Sequence, residues 1–169
     1  MHSPPAHDHT LTAHRRPPRR PGILAVDVVV LTGCAAEPPA TALVVVDDQV
    51  HLTVELARTT NQQRLGLAGR DRMPQGTGML FEFDPPGARR VWMAGMTFPI
   101  DIAWISNGRV IATDTLPPCT APHTGECPRW QSPGDVEALL ETSAGSLDDI
   151  DPGATITLDT ARSPATRRQ

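Results

Sequence analysis

Residues 91–105 read V-W-M-A-G-M-T-F-P-I-D-I-A-W-I, and this run restricts the fold more than any other part of the chain. From Phe98 onward the pattern has a period of two. Phe98, Ile100, Ile102 and Trp104 fall on one face of a strand, and Pro99, Asp101, Ala103 and Ile105 on the other. Asp101 then lies on an apolar face, where an unpaired carboxylate would cost several kcal/mol or be forced to protonate. It needs a partner. A structural one, backbone N–H groups or an arginine, is the ordinary solution, and a place in a ligand pocket is the functional one.

The remaining segments read as short strands around one short helix. Val44–Val46 and Gln49–Ala57 form a hairpin, with Val50, Leu52, Val54 and Leu56 on one face. Thr60 and Gln63 have the spacing of a capping box, which predicts a helix through Leu67 ended by Gly69. Gly78–Phe83 and Val91–Met93 are further strands. Asn107-Gly108 is a strong hairpin turn signal, pairing the Phe98–Ile105 strand with Arg109–Leu116. Residues 117–134 read as a long loop, residues 136–142 are helix or strand by propensity alone, and Ala154–Asp159 is a last strand. With 18 prolines among 169 residues, long helices are disfavoured. The fold class is mainly β, a small compact β-barrel-like domain over residues 44–160, with a disordered tail at residues 161–169.

The N-terminus reads as an address. Arg15, Arg16, Arg19 and Arg20 precede an apolar stretch from Ile23, and Leu31-Thr32-Gly33-Cys34 resembles a lipobox. Residues 1–33 are then a lipoprotein-type signal peptide, Cys34 the lipidated first residue of the mature chain, and residues 34–43 a Pro/Ala tether. Asp27 interrupts the apolar core, and the competing reading of this stretch is a buried first strand. The apolar run is too short to span a bilayer. The expected localisation is extracytoplasmic, anchored to the cell membrane through Cys34. Removal of the leader also removes His2, His7, His9 and His14, leaving His51 and His123, so no metal site or cofactor is expected. In an oxidising compartment Cys119 and Cys127 are expected to form a disulfide. A net charge of −4 gives no electrostatic footprint for nucleic acid, and the protein is expected to be a monomer.

The ordered motifs resemble the uncharacterised bacterial and archaeal family called domain of unknown function 192. The resemblance rests on Gln63-Arg64-Leu65-Gly66-Leu67, Gly78-Met79-Leu80-Phe81 and the run from Val91 to Ile102. It continues in Asn107-Gly108-Arg109-Val110, the Cys119–Cys127 loop and Leu140-Glu141-Thr142-Ser143-Ala144-Gly145. It implies a compact β-barrel with a short helix, often behind a signal or lipid anchor, and no established reaction. The family usually has lysine after Trp-Met, where this chain has Ala94. Arg89 or Arg90 is the nearest substitute cation.

No Ser/His/Asp set, glycine-rich phosphate loop or HExxH motif is present. Trp92, Met93, Met96 and Met79 offer a soft apolar surface, or simply core packing. Two functions follow. The first is a non-catalytic binding or accessory module of the cell envelope, with Trp92, Met93, Asp101 and Glu141 binding a ligand or peptide. The second is a carboxylate-dependent hydrolase of envelope glycans, which requires Asp101 and Glu141 in one cleft about 5–9 Å apart. Glu141 otherwise reads as a strand residue paired with an arginine such as Arg64 or Arg70.

Overall fold

The computed structural model describes residues 39–160. The proposed signal, its lipobox with Cys34, the first half of the tether and the C-terminal tail lie outside the described residues. Nine strands follow in order: β1 (Thr41–Val46), β2 (Val50–Ala57), β3 (Thr77–Gly87), β4 (Arg90–Trp92), β5 (Ile100–Ser106), β6 (Arg109–Leu116), β7 (Arg129–Gln131), β8 (Val136–Ser143) and β9 (Ile156–Asp159). One helix, α1 (Thr60–Leu65), lies between β2 and β3, and a single 3-10 turn spans Thr124–Glu126. The expected mainly β class holds. β1 takes in Thr41–Leu43, three residues the sequence pattern assigned to the tether.

Seven strands form one curled sheet in the order β6-β5-β8-β3-β2-β1-β9, and β4 pairs with β7 in a separate two-stranded sheet. Every pairing is antiparallel except β2 with β3, which runs parallel from Thr53↔Thr77 to Ala57↔Phe81. A parallel pair cannot be joined by a tight turn, so the chain crosses over through residues 58–76, and α1 sits in that crossover. The sheet is a half-barrel whose outermost strands touch at one end. Val110 N–H donates to the Ala154 carbonyl at 2.9 Å and Ile156 N–H to the Gly108 carbonyl at 3.1 Å.

Two hydrophobic layers result. Ala42, Val44, Leu52, Val54, Leu80, Ala103, Ile105, Val110 and Leu140 pack together although they come from opposite ends of the sheet order, so they fill the concave side. Phe81, Val91, Met93, Met96, Ile100, Ile102, Trp104 and Leu139 pack on the convex side under β4, β7 and their loops. The alternation is realised from Ile100, where β5 begins two residues later than the sequence pattern predicted, with Ile100, Ile102 and Trp104 outside the curl and Ala103 and Ile105 inside it.

Local differences from the sequence reading have identifiable causes. The capping box forms one residue earlier. Thr59, in extended backbone, accepts from Gln62 N–H, and the Gln62 side chain reaches back to Thr59 N–H. The helix stops at Leu65 because Gly66 takes a left-handed φ of 51°. Gln63 is released from capping and instead donates from Nε2 to the carbonyls of Ala57 (3.2 Å) and Glu82 (2.6 Å), fastening the crossover to the ends of β2 and β3. Residues 136–143 are a strand, since β8 lies between β5 and β3 and is buried along nearly its whole length. The loop after β6 contains β7, and the Cys119–Cys127 disulfide closes its first part with the Cα atoms 5.7 Å apart. Asn107 and Gly108 both take positive φ (53° and 67°) and form the expected two-residue turn.

Asp101 has a structural partner set. Its carboxylate is 1% exposed and accepts from the Leu147 backbone N–H at 3.0 Å and the Thr115 hydroxyl at 2.8 Å. It ties the turn after β8 to the start of β5. Replacing Asp101 by Asn removes one of those acceptors and substitutes a donor facing a donor. We expect Asp101→Asn to lower stability by about 1–3 kcal/mol, read as a lower urea midpoint with an unchanged slope; an unshifted midpoint would contradict the structural role.

Candidate functional site

The crossover and the β4 segment stand over the convex face of the sheet and leave a groove of about 690 Å³ between them. One wall is the end of α1 and its continuation, Gln63 to Ala68, and the other is β4 with its following turn, Arg90 to Met96. Phe81 of β3, Ile100 of β5, and Leu139 and Glu141 of β8 form the floor. The walls meet where Gly69 N–H donates to the Gly95 carbonyl at 3.4 Å. Gly95 makes this approach possible, with φ at 77° and Ala68 lying against it. Thr124, inside the disulfide-closed loop, also lines the groove.

Leu65 (62% exposed) and Trp92 (43% exposed) flank the groove, two of the three large hydrophobic side chains left exposed among the described residues. The Arg129 guanidinium lies 4.7 Å from the Trp92 ring centroid, a cation–π contact that holds the indole in place. Met93 is fully buried and Met79 and Met96 nearly so, so the methionines support the groove from below rather than forming a surface. Where the family has lysine, Ala94 lines the groove, and Arg64, Arg89 and Arg90 supply cations around it. Arg89 stacks on Phe83 at 4.6 Å and donates to the Pro85 carbonyl. The Arg64 side chain bonds only Asn61, at 3.3 Å, and the Arg90 side chain makes no hydrogen bond or ion pair among the described residues.

Glu141 sits at the chemical centre of this groove. It is 5% exposed and lies across from Met79 on one side and Ile102 on the other. Its carboxyl has no hydrogen bond or ion pair among the described residues. The arginine pairing expected from the sequence does not form, because Arg70 holds Glu55 through two bonds of 2.6 and 2.8 Å. Burial pushes the Glu141 carboxyl up from 4.5 to about 8, and the nearby Arg70 charge restrains the rise.

Three of the four residues proposed as ligand-binding therefore meet here: Trp92, Met93 and Glu141. Asp101 does not. It aligns with Thr142 across β5–β8, whereas Glu141 aligns with Ile102, so the two carboxyls project from opposite faces of the sheet. Asp101 faces a separate cavity of about 220 Å³ with Thr113, Asp114 and Asp148. A hydrolase built on Asp101 and Glu141 in one cleft is excluded by this register, and Glu141 is the only carboxylate lining its groove.

A larger cavity of about 870 Å³ lies over Val44, Leu80, Ile105, Ala138 and Ile156. Most of its polar groups already have partners: Arg58 pairs with Glu82, and Glu137 accepts from Gly108 N–H at 2.7 Å. The smaller groove is the better candidate because its carboxyl is unmatched. The sequence indicated it through Trp92 and Glu141 but missed Arg64 and Leu65, whose exposure beside an amphipathic crossover was the available signal.

The raised Glu141 value predicts a pH dependence of stability. Between about pH 4.5 and 8 the native carboxyl keeps a proton that the unfolded chain has released, so this contribution is full below 4.5 and is lost as pH rises through 8. Glu141→Gln should remove that slope and raise stability at about pH 9 by a few kcal/mol. Urea melts across the range would show it, and parallel profiles for the two proteins would contradict it.

Among solved structures, the chain is similar to one described as "a putative transcription regulator" from Sinorhizobium meliloti 1021, with 26% identity and a TM-score of 0.62, covering 72% of this chain and 96% of that one. It is also similar to a protein of unknown function from Novosphingobium aromaticivorans DSM 12444, with 26% identity and a TM-score of 0.60, covering 73% and 94%. No functionally curated protein matches the sequence. The model of the family described as DUF192, Uncharacterized ACR, matches residues 42–158, which carry every strand of the half-barrel and the whole groove, and the chain belongs to that family.

Proposed function

We propose that this protein is a non-catalytic binding module of the cell envelope, held at the membrane by a lipid on Cys34, whose ligand occupies the groove between α1 and β4. One observation carries the binding reading: a nearly buried carboxyl, Glu141, opens without a partner into a groove flanked by exposed Leu65 and Trp92. An unpaired buried carboxyl destabilises the empty fold, and retaining one beside exposed apolar side chains makes sense where a ligand completes the environment. Among the described residues the groove lining holds no second carboxylate, histidine or cysteine to pair with Glu141, which favours binding over catalysis.

The anchor reading rests on Leu31-Thr32-Gly33-Cys34 behind a basic and apolar leader, and the Cys119–Cys127 bridge fits an oxidising compartment. Transcription regulation, named for one structural neighbour, gains no support from a net charge of −4.

Two measurements test the two halves. Cys34→Ser should abolish partition of the mature protein into a detergent phase, and unchanged partition would end the lipid-anchor reading. Nile red, a neutral apolar dye, should brighten in the groove. Ala94→Trp, which fills the groove from its β4 wall, should reduce that signal several-fold without moving the urea midpoint, and an undiminished signal would end the groove reading.

A further inference from the structure

The charges around the groove are arranged asymmetrically, and this bears on what enters it. Of the charged residues that line it, three are arginines and one is Glu141. Arg64 and Arg90 are exposed, and Arg90 has no partner among the described residues. Glu141 lies deep, among Phe81, Met93, Ile100 and Leu139, where burial favours the neutral acid near neutral pH. The groove therefore presents a cationic entrance over an apolar floor whose single polar group is an uncharged carboxyl. Its volume of about 690 Å³ is in the range of a small molecule rather than a protein surface.

Resting on the groove reading above, we propose that the ligand is a small amphipathic acid, its apolar body laid between Leu65 and Trp92 over Glu141 and its anionic group paired with Arg64 and Arg90. An ammonium-headed ligand would meet the same guanidiniums and be repelled. A neutral ligand would leave both without a counter-charge. The protonated Glu141 leaves the floor beneath the apolar body uncharged, while an ionised Glu141 would repel the acid. The other charges packed near Glu141 are those of Arg70, already neutralised by Glu55, and Arg89, stacked on Phe83, so Glu141 is the group that sets the pH response.

Titration of the full-length protein with three ligands of equal chain, decanoate, decanol and decyltrimethylammonium, followed by tryptophan fluorescence, tests this directly. Decanoate should bind roughly tenfold more tightly than decanol, the gain expected of two partly exposed charge pairs. The cationic ligand should bind most weakly. Arg64→Gln combined with Arg90→Gln should erase the preference for decanoate, bringing its affinity down to the level of decanol, and should leave the urea midpoint in place, since both arginines are exposed and the fold does not rest on them. Decanoate affinity should also fall several-fold from about pH 7 to about pH 9 in the wild type and stay level in Glu141→Gln. Equal binding of decanoate and decanol, a preference for the cation, or affinity that rises with pH would overturn the acid inference and leave the groove intact as a site. If none of the three binds, or if Ala94→Trp leaves binding unchanged, the groove reading itself fails and the acid inference with it.

Discussion

Strands β5 and β8 are covered on both faces, by the concave core on one side and by β4, β7 and the crossover on the other. That double burial imposes a severe condition on polar groups. A side chain on an outer strand can turn to water, but one on β5 or β8 must find a partner within the protein or bear the cost of desolvation. Asp101 meets the condition through Leu147 and Thr115, and Thr142 does so by donating to the Thr77 carbonyl at 2.8 Å. Ser143 shares a 2.9 Å bond with Ser146. The Trp104 indole N–H does not meet it, and the Glu141 carboxyl has no hydrogen-bond partner among the described residues. The indole is sealed in the convex core, whereas the carboxyl faces the groove. The same burial that makes the sheet stable therefore isolates one functional group.

The parts of this architecture governed by local periodicity were legible in the sequence. Alternation from Ile100 to Ile105 placed each side chain on the side where it is found, and Asn107-Gly108 fixed the hairpin because both residues tolerate positive φ. The helix boundary slipped by one residue because Thr59 and Thr60 are equivalent as caps by composition, and only the extended backbone at Thr59 separates them. β8 was ambiguous because Val136–Thr142 gains its strand identity from neighbours on both sides, a tertiary effect.

The site was legible in part, and the missing part has one cause. Asp101 and Glu141 are separated in sequence by forty residues, and whether they share a face depends on the register of β5 against β8. A shift of one residue would have put them together. No local pattern encodes that register, so the sequence could nominate both carboxyls but could not assign them to one cleft or two. Arg64 and Leu65 were overlooked for a related reason: their place in the groove follows from the path of the crossover over the sheet, not from their own helix.

The parallel pairing of β2 with β3 has a consequence for how the protein comes into being. The hairpins β1–β2 and β5–β6 close over a few residues and can form as soon as the chain is available, but β3 acquires its other neighbour only from β8, with Gly78 paired to Thr142. Contacts across that span must overcome a much larger loop-closure entropy. The groove draws its walls from residues 63–68 and 90–96 and its floor from β3, β5 and β8, so it has no existence until this long-range pairing is made. A chain synthesised as far as β6 already holds Trp92 and the crossover, yet it has nothing to bind with; competence arrives when β8 inserts and brings Glu141 with it.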